Sequence, residues 1–252
     1  MLIDAFAMDS LVLLAVILAG GSVSLLVAAL FLQVLHRRLD GEANRVPVAP
    51  FFAAVTTIWA LIFGFVAAEV WQMNNRATEA ALAERSSIQR LAGIAAEDAL
   101  DLPGMREALS EYVLAVTADE WGADANATPH PRVDAAVQTM RLSVIDIARS
   151  DLPPALLSKM IVDFDELQDA RELRLAIGQR NLAELKWTLV VVLAVLSQFS
   201  IAFVHRDRIR AGRSAIAIFT LAACLGIWLV ALHASPYGGS VSITPAQLAD
   251  LF

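Results

Sequence analysis

The sequence has little that could support catalysis or a disulfide framework. Its one cysteine, Cys224, excludes an intramolecular disulfide and, lying in an apolar run, is interpreted as a small core residue. The sequence has no glycine-rich phosphate loop, no HExxH or GxSxG motif and no paired-cysteine metal site. No two of the histidines (His36, His130, His205, His233) have metal-ligand spacing. We therefore expect no enzymatic activity, no metal and no cofactor.

Basic residues are the minority, whereas apolar residues are abundant. Lys and Arg number 19 against 26 Asp and Glu, and the net charge of −7 argues against nucleic acid as a partner. Hydrophobic residues make up 58% of the chain, and the mean hydropathy is +0.61. These values are typical of an integral membrane protein with the lipid bilayer as its surroundings. Charged residues are still 18%, so part of the chain must lie in water.

Four apolar segments predict an all-α integral membrane protein with four transmembrane helices. They cover about residues 11–35, 48–71, 187–204 and 214–234, and each is long enough to cross a hydrocarbon core of ~30 Å. The first segment is longer than a signal-peptide core, and no Lys or Arg precedes it, so we interpret it as a retained helix.

Residues 73–186 are predicted to form a water-exposed helical bundle inserted between helices 2 and 3. Their apolar residues recur with a period of 3.6, and each such helix must bury one face. No proline interrupts either junction with the membrane segments, so helices 2 and 3 are expected to extend out of the membrane. The domain boundaries are then residues 1–72 and 187–234 for the membrane helices, 73–186 for the bundle and 235–252 for a tail.

The second apolar segment continues into polar, helix-prone sequence as far as about residue 99 and carries an acid, Glu69, in its apolar part. An acid in a membrane segment faces a cavity or a partner. Two interpretations stay open, a pore or ion site and a simple pairing or reach to the interface. Thr56 and Thr57 are further candidates for a pore, although membrane threonines more often bond to their own helix backbone.

Polar side chains on otherwise apolar helix faces need partners. Glu84 lies in line with an apolar stripe of the bundle, and the last bundle helix offers Arg171 and Arg174 on one face. We expect an ion pair of Glu84 with one of the two arginines, which would fix the registry of the bundle. Gln198, together with Ser197 and Ser200, predicts hydrogen bonds between membrane helices.

The positions of Lys and Arg predict the orientation. Residues 36–45 and 205–213 form short basic loops, whereas the N-terminal stretch and the tail contain no Lys or Arg. The positive-inside rule places both loops in the cytoplasm. The helical domain and both termini are therefore predicted to be extracytoplasmic.

Scattered motifs from about residue 50 onward resemble the bestrophin-like family of bacterial membrane proteins. The matching residues are Trp71, Ala77 through Glu84, Tyr112, Val116, Glu120, Trp121, Asp169 through Arg174, Leu185, Lys186, Trp187, the SPYGG run, Ile243 and Pro245. The resemblance implies a multi-pass protein of the bacterial inner (plasma) membrane. It also implies a homo-oligomer, a pentamer as in bestrophins, that conducts inorganic ions through a pore lined by its second spanning helices.

Bestrophins also have a hydrophobic neck, for which the positional candidates are Phe51, Ile58, Phe63 and Phe65. Two features depart from the family. Bestrophins keep their helical domain in the cytoplasm, and the acidic cluster that binds Ca²⁺ in animal bestrophins is missing. A ring of Glu69 side chains and an acidic outer domain would favour cations, so the anion selectivity of the family is not carried over.

Two functions from different classes remain. The first is an oligomeric ion channel with helix 2 around the pore. It predicts Glu69 near the axis, and Glu69 would have no pore role if it faced lipid or a purely intrasubunit partner. The alternative is an extracytoplasmic sensor or scaffold that acts through a partner protein without catalytic activity of its own. A membrane enzyme has no supporting constellation of residues.

Overall fold

The computed structural model describes residues 9–38, 48–122, 125–149, 152–179, 184–245 and 248. Those residues form helices and connecting turns. The helices are α1 (Ser10–Arg38), α2 (Val48–Ala95), α3 (Pro103–Asp119), α4 (Pro131–Ala148), α5 (Pro154–Gly178), α6 (Glu184–Val204) and α7 (Ile209–Leu232), with a 3₁₀ turn at Ala125–Ala127. The bundle helices α3, α4 and α5 begin with proline, whose missing N–H is not needed in a first turn.

Among the described residues, four helices are long and apolar enough to cross a membrane, namely α1, α2, α6 and α7. The predicted all-α fold with four candidate spans is thereby confirmed. By its internal contacts the chain divides into two units. One consists of Met1–Gln72 and Asn181–Ala234, and the other of Met73–Arg180 and Ser235–Phe252.

In the first unit, close packing depends on small residues. A Cβ atom at Gly21 of α1 would collide with the Sγ of Cys224 of α7. Gly212 at the start of α7 is similarly confined, since its Cβ would lie 2.7 Å from Leu32 Cδ2 and 2.8 Å from His205 Cβ. Such contacts let helix backbones approach where the hydrophobic effect does not drive association.

In the second unit, α3, α4, α5 and the C-terminal half of α2 bury one apolar core. The core residues recur at helical spacing, and they include Ile88, Leu91, Leu109, Val116, Val133, Val137, Met140, Phe164 and Leu167. Part of the tail belongs to this unit, because Leu248 is buried in the same core and Tyr237 packs with Ala77, Ala80 and Ile177.

Helix α2 is continuous over 48 residues, a length of roughly 72 Å at the usual rise. Helix α5 ends at Gly178 and α6 begins at Glu184, so the corresponding expectation for helix 3 falls on the residues between them. The end of α5 is held close to the 3₁₀ turn, where a Cβ at Gly178 would collide with the backbone of Asn126. Residues 180–183 lie outside the described residues.

Candidate pore helix and buried ion pairs

The apolar half of α2 has the least intramolecular cover of the four membrane helices. Only 6% of its most apolar 18-residue window is buried within the chain, against 11% for α1, 33% for α7 and 44% for α6. Phe51, Ile58 and Phe65 are about half or more exposed and follow one another at intervals of seven residues. Two helical turns separate each pair, so these side chains form one apolar stripe.

Of the other pore candidates, two make contacts within the chain and one is exposed. Phe63 faces α7, since a Cβ at Gly226 would lie 3.2 Å from its ring, and it stacks on Trp59 at 5.4 Å. The hydroxyl of Thr56 donates to the backbone oxygen of Phe52 at 2.9 Å. Thr57 is exposed. Phe63 and Thr56 thus make contacts within the chain.

Glu69 has a partner within the chain. The ammonium of Lys186, at the start of α6, donates to both carboxylate oxygens of Glu69 at 2.6 Å. Both side chains remain nearly half exposed. The pairing interpretation therefore has a specific partner, and the pore interpretation of Glu69 stays a prediction. The sequence offered Lys186 only as a basic residue at the entry to a span.

Gln198 of α6 links three membrane helices. Its Nε2 donates to Ser24 Oγ of α1 at 3.1 Å and to Thr220 Oγ1 of α7 at 2.8 Å. Ser197 and Ser200 instead bond to backbone oxygens of their own helix. One member of the polar patch therefore joins helices, and the two serines do not.

In the bundle unit, the structure brings Glu84 and Arg174 together. Both side chains are fully buried, and Arg174 Nε donates to Glu84 Oε2 at 2.7 Å. The hydroxyl of Tyr112 donates to the other carboxylate oxygen of Glu84 at 2.6 Å. Arg174 also lies 5.2 Å from the ring centre of Trp121, close enough for a cation–π contact.

Arg171, the other candidate for Glu84, pairs with a different acid. It binds Glu120 and Asp134, and Glu120 also accepts from Arg174 at 3.1 Å. Asn126 Oδ1 accepts from Arg174 Nη1 at 2.6 Å. Sequence reasoning missed Glu120 and Asn126 as members of this network, because Glu120 ends a helix and Asn126 lies in a loop.

Ion pairs in the network keep Glu120 and Arg174 charged although both side chains are buried. Burial alone would raise the pKa of Glu120, but hydrogen bonds from Arg171 and the His130 backbone and the charges of both arginines outweigh it, so this pKa is lowered. Burial likewise opposes the charge of Arg174, yet Glu84 raises the pKa of Arg174 above its ordinary value. Burial and the neighbouring Glu84 carboxylate raise the pKa of Tyr112 well above 10.0. The arrangement is therefore a set of fixed ion pairs.

Within the described residues, no three His, Cys, Asp or Glu side chains lie close enough together to hold a metal ion. The acids of the bundle network face arginines, which occupy the positions that a cation would need. The geometry of this network is that of a structural cluster.

The described residues form an all-helical fold with four helices long and apolar enough to cross a membrane. The Bestrophin-like domain matches residues 15–248, and the chain therefore belongs to the Bestrophin-like family, as the resemblance indicated. A crystal structure of a bacterial bestrophin homolog from Klebsiella pneumoniae, which carries a mutation, is similar with a TM-score of 0.61 and 14% identity. The alignment covers 94% of this chain and 97% of that chain. Comparison with curated proteins finds no match.

Proposed function

We propose that the chain is a subunit of a homo-oligomeric ion channel and that α2 lines the pore. The observation that carries the proposal is the uncovered apolar stripe of Phe51, Ile58 and Phe65 on the helix with the least intramolecular cover. Membership in the Bestrophin-like family and the fold shared with a bestrophin homolog support it.

In a ring of subunits, the stripe gives three successive apolar constrictions. Residues seven apart on a helix are separated by ~10 Å along its axis, so Phe51, Ile58 and Phe65 would span ~20 Å of a pore. Apolar constrictions of this kind gate by excluding water. Phe63 is not part of this proposal, because its ring packs toward α7.

The pair of Glu69 and Lys186 changes the expectation for selectivity. One acid and one base stand at the same level of the helix pair, at 2.6 Å, so each subunit contributes no net charge there. The cation preference expected from a ring of unpaired Glu69 carboxylates is therefore not carried into the proposal. The sign of the conducted ion depends on whether this pair faces the pore.

For the orientation in the membrane, we retain the prediction from the positions of Lys and Arg. We propose a multi-pass protein of the bacterial inner membrane whose basic loops at residues 36–45 and 205–213 face the cytoplasm. The bundle and both termini would then be extracytoplasmic, opposite to the orientation of bestrophins.

Thiol accessibility in a conducting preparation tests the pore. In a Cys224→Ala background, Phe65→Cys should react with a membrane-impermeant charged thiol reagent, and flux through liposomes should fall by about tenfold or more as the constriction acquires charge. Leu229→Cys is the matched control, because Leu229 is exposed on α7 and should meet lipid. If flux is unchanged after residue 65 has been modified, α2 does not line the pore.

The mass of the detergent-solubilised protein is a second, independent test of the proposal. A closed ring of identical subunits is expected. A monomer would exclude the channel and favour the sensor or scaffold that acts through a partner protein.

A further inference from the structure

A cavity of about 550 Å³ lies in the bundle unit, bordered by the last turns of α2, the turn that follows them and the first half of α5. Its volume is within the range of small-molecule sites, roughly 300–1,000 Å³. Ile94, Leu100 and Leu156 supply apolar wall, and Arg90, Lys159 and Asp163 are its charged members. A mostly apolar cavity with a few convergent polar groups is the usual composition of a ligand site.

Asp163 is the feature that points to a ligand. The residue is fully buried, and its Oδ1 accepts from Arg90 Nε at 2.6 Å and also from Lys159 Nζ. Its second oxygen, Oδ2, is buried and has no hydrogen-bond partner among the described residues. A buried carboxylate oxygen without a donor is rare and costly, because it has lost water and gained nothing in exchange.

The charges around Asp163 are already balanced. Arg90 also binds Glu166 and donates to Ser86 and Ser87, so two bases face two acids. A ligand with a net charge would disturb this balance next to the fully buried Asp163 carboxylate. A neutral donor satisfies Oδ2 without that cost.

We propose that this cavity binds a small, largely apolar molecule with one neutral hydroxyl group, which donates to Asp163 Oδ2. The apolar body lies against Ile94, Leu100 and Leu156. Because Asp163 has no exposed surface, a side chain that lines the cavity must shift before the ligand reaches Oδ2, and Lys159, which is 52% exposed, lines the cavity. The proposal does not depend on ion conduction.

The test compares two probes that differ in the donor. The full chain in detergent is titrated with 4-fluorophenol and with its methyl ether, 4-fluoroanisole, and binding is followed by ¹⁹F NMR relaxation. Partition into detergent is corrected with protein-free micelles of the same detergent, and Gly93→Phe is the variant that fills the cavity. Gly93 lines the cavity, and a Cβ there meets no atom within 4 Å, so a bulky side chain has room to fill the space.

We expect saturable binding of 4-fluorophenol, at least about tenfold weaker binding of the ether, and loss of both in Gly93→Phe at an unchanged melting temperature. Asp163→Asn gives a second arm. The amide oxygen of the introduced asparagine must take the place of Oδ1 in order to accept from Arg90, so the NH₂ group takes the place of Oδ2. Because this group donates, the relative affinity should shift toward the ether, whose oxygen can only accept.

Three results would overturn the proposal. Equal affinity of the native chain for both probes would mean that Asp163 recognises no donor. Binding retained in Gly93→Phe would place the probe elsewhere. No saturable binding would mean that a water molecule suffices for Oδ2.

Discussion

Arg174 holds both carboxylate oxygens of Glu84, with Nε–Oε2 at 2.7 Å and Nη2–Oε1 at 3.2 Å, and neither side chain has any exposed surface. The two residues lie on helices α2 and α5, 90 positions apart in the chain. Their pairing therefore fixes how these two helices align within the bundle.

Replacing one residue of this pair should lower the free energy of unfolding more than replacing both. Arg174→Met leaves the buried Glu84 carboxylate without a cation, and Glu84→Leu leaves Arg174 with Glu120 as its remaining acid. We expect a loss of about 3–5 kcal/mol in the free energy of unfolding for Arg174→Met and a smaller loss for Glu84→Leu. The double variant should lose less than either single variant, since no charge remains unpaired between these positions. Denaturant unfolding of the full chain in detergent measures all three. Additive losses would show that the pair is not an energetic unit.

Glu120 should make the bundle sensitive to acid. Its folded-state pKa lies below its usual value of 4.5, so its stabilising contribution is present above 4.5 and is lost as the pH falls through the lowered value. The stability advantage of the native chain over Glu120→Gln should therefore shrink below pH ~4.5. Melting curves of both proteins between pH 7 and 3 test this. An advantage that stays constant over that range would contradict the assigned ion pairs.

A smaller side chain at position 224 should compensate for a larger one at position 21. Gly21→Ala places a methyl group against the Cys224 sulfur, and overpacking of this kind costs about 1–3 kcal/mol. Cys224→Ala removes the sulfur and should restore much of the loss in the double variant. Thermal melting in detergent is the measurement, and Gly20→Ala is the control, because a Cβ at Gly20 meets no neighbour within 4 Å. Without rescue, the two helices do not pack through these residues.

Breaking the pair of Glu69 and Lys186 should reveal which charge the ions meet. Glu69→Gln leaves the ammonium of Lys186 and should shift the permeability ratio toward anions a fewfold, whereas Lys186→Gln should shift it toward cations. Reversal potentials across planar bilayers measure both shifts. The double neutral variant is the control and should resemble the native chain. If neither single variant shifts the ratio, the pair faces away from the conducting path.

The predicted orientation has a direct test. In a Cys224→Ala background, Thr128→Cys in the exposed loop of the bundle should be labelled by an impermeant maleimide in intact spheroplasts. Asp207→Cys, in the short basic loop and highly exposed, should be labelled only after permeabilisation. The reverse pattern would place the bundle in the cytoplasm, as in bestrophins.

The sequence predicted the helical class and the four spans because long apolar runs and a 3.6-residue period are local signals. It also named Glu84 with two possible arginines, since a charge on an apolar face demands a partner. It could not choose between Arg171 and Arg174, because residues three apart on a helix point in similar directions. The contact of Lys186 with Glu69 crosses 117 positions and depends on how two helices pack. Nor does any local pattern show that one oxygen of Asp163 lacks a donor.

The tail has a consequence for the order in which the protein is made. Trp121 Nε1 donates to the backbone oxygen of Ile243 at 2.9 Å, the Tyr237 hydroxyl donates to the backbone oxygen of Ala77 at 3.3 Å, and Leu248 is buried in the bundle core. During synthesis these contacts form only after the last membrane helix has left the ribosome. A chain that stops at Ala234 would lack these contacts and leave part of the bundle core uncovered.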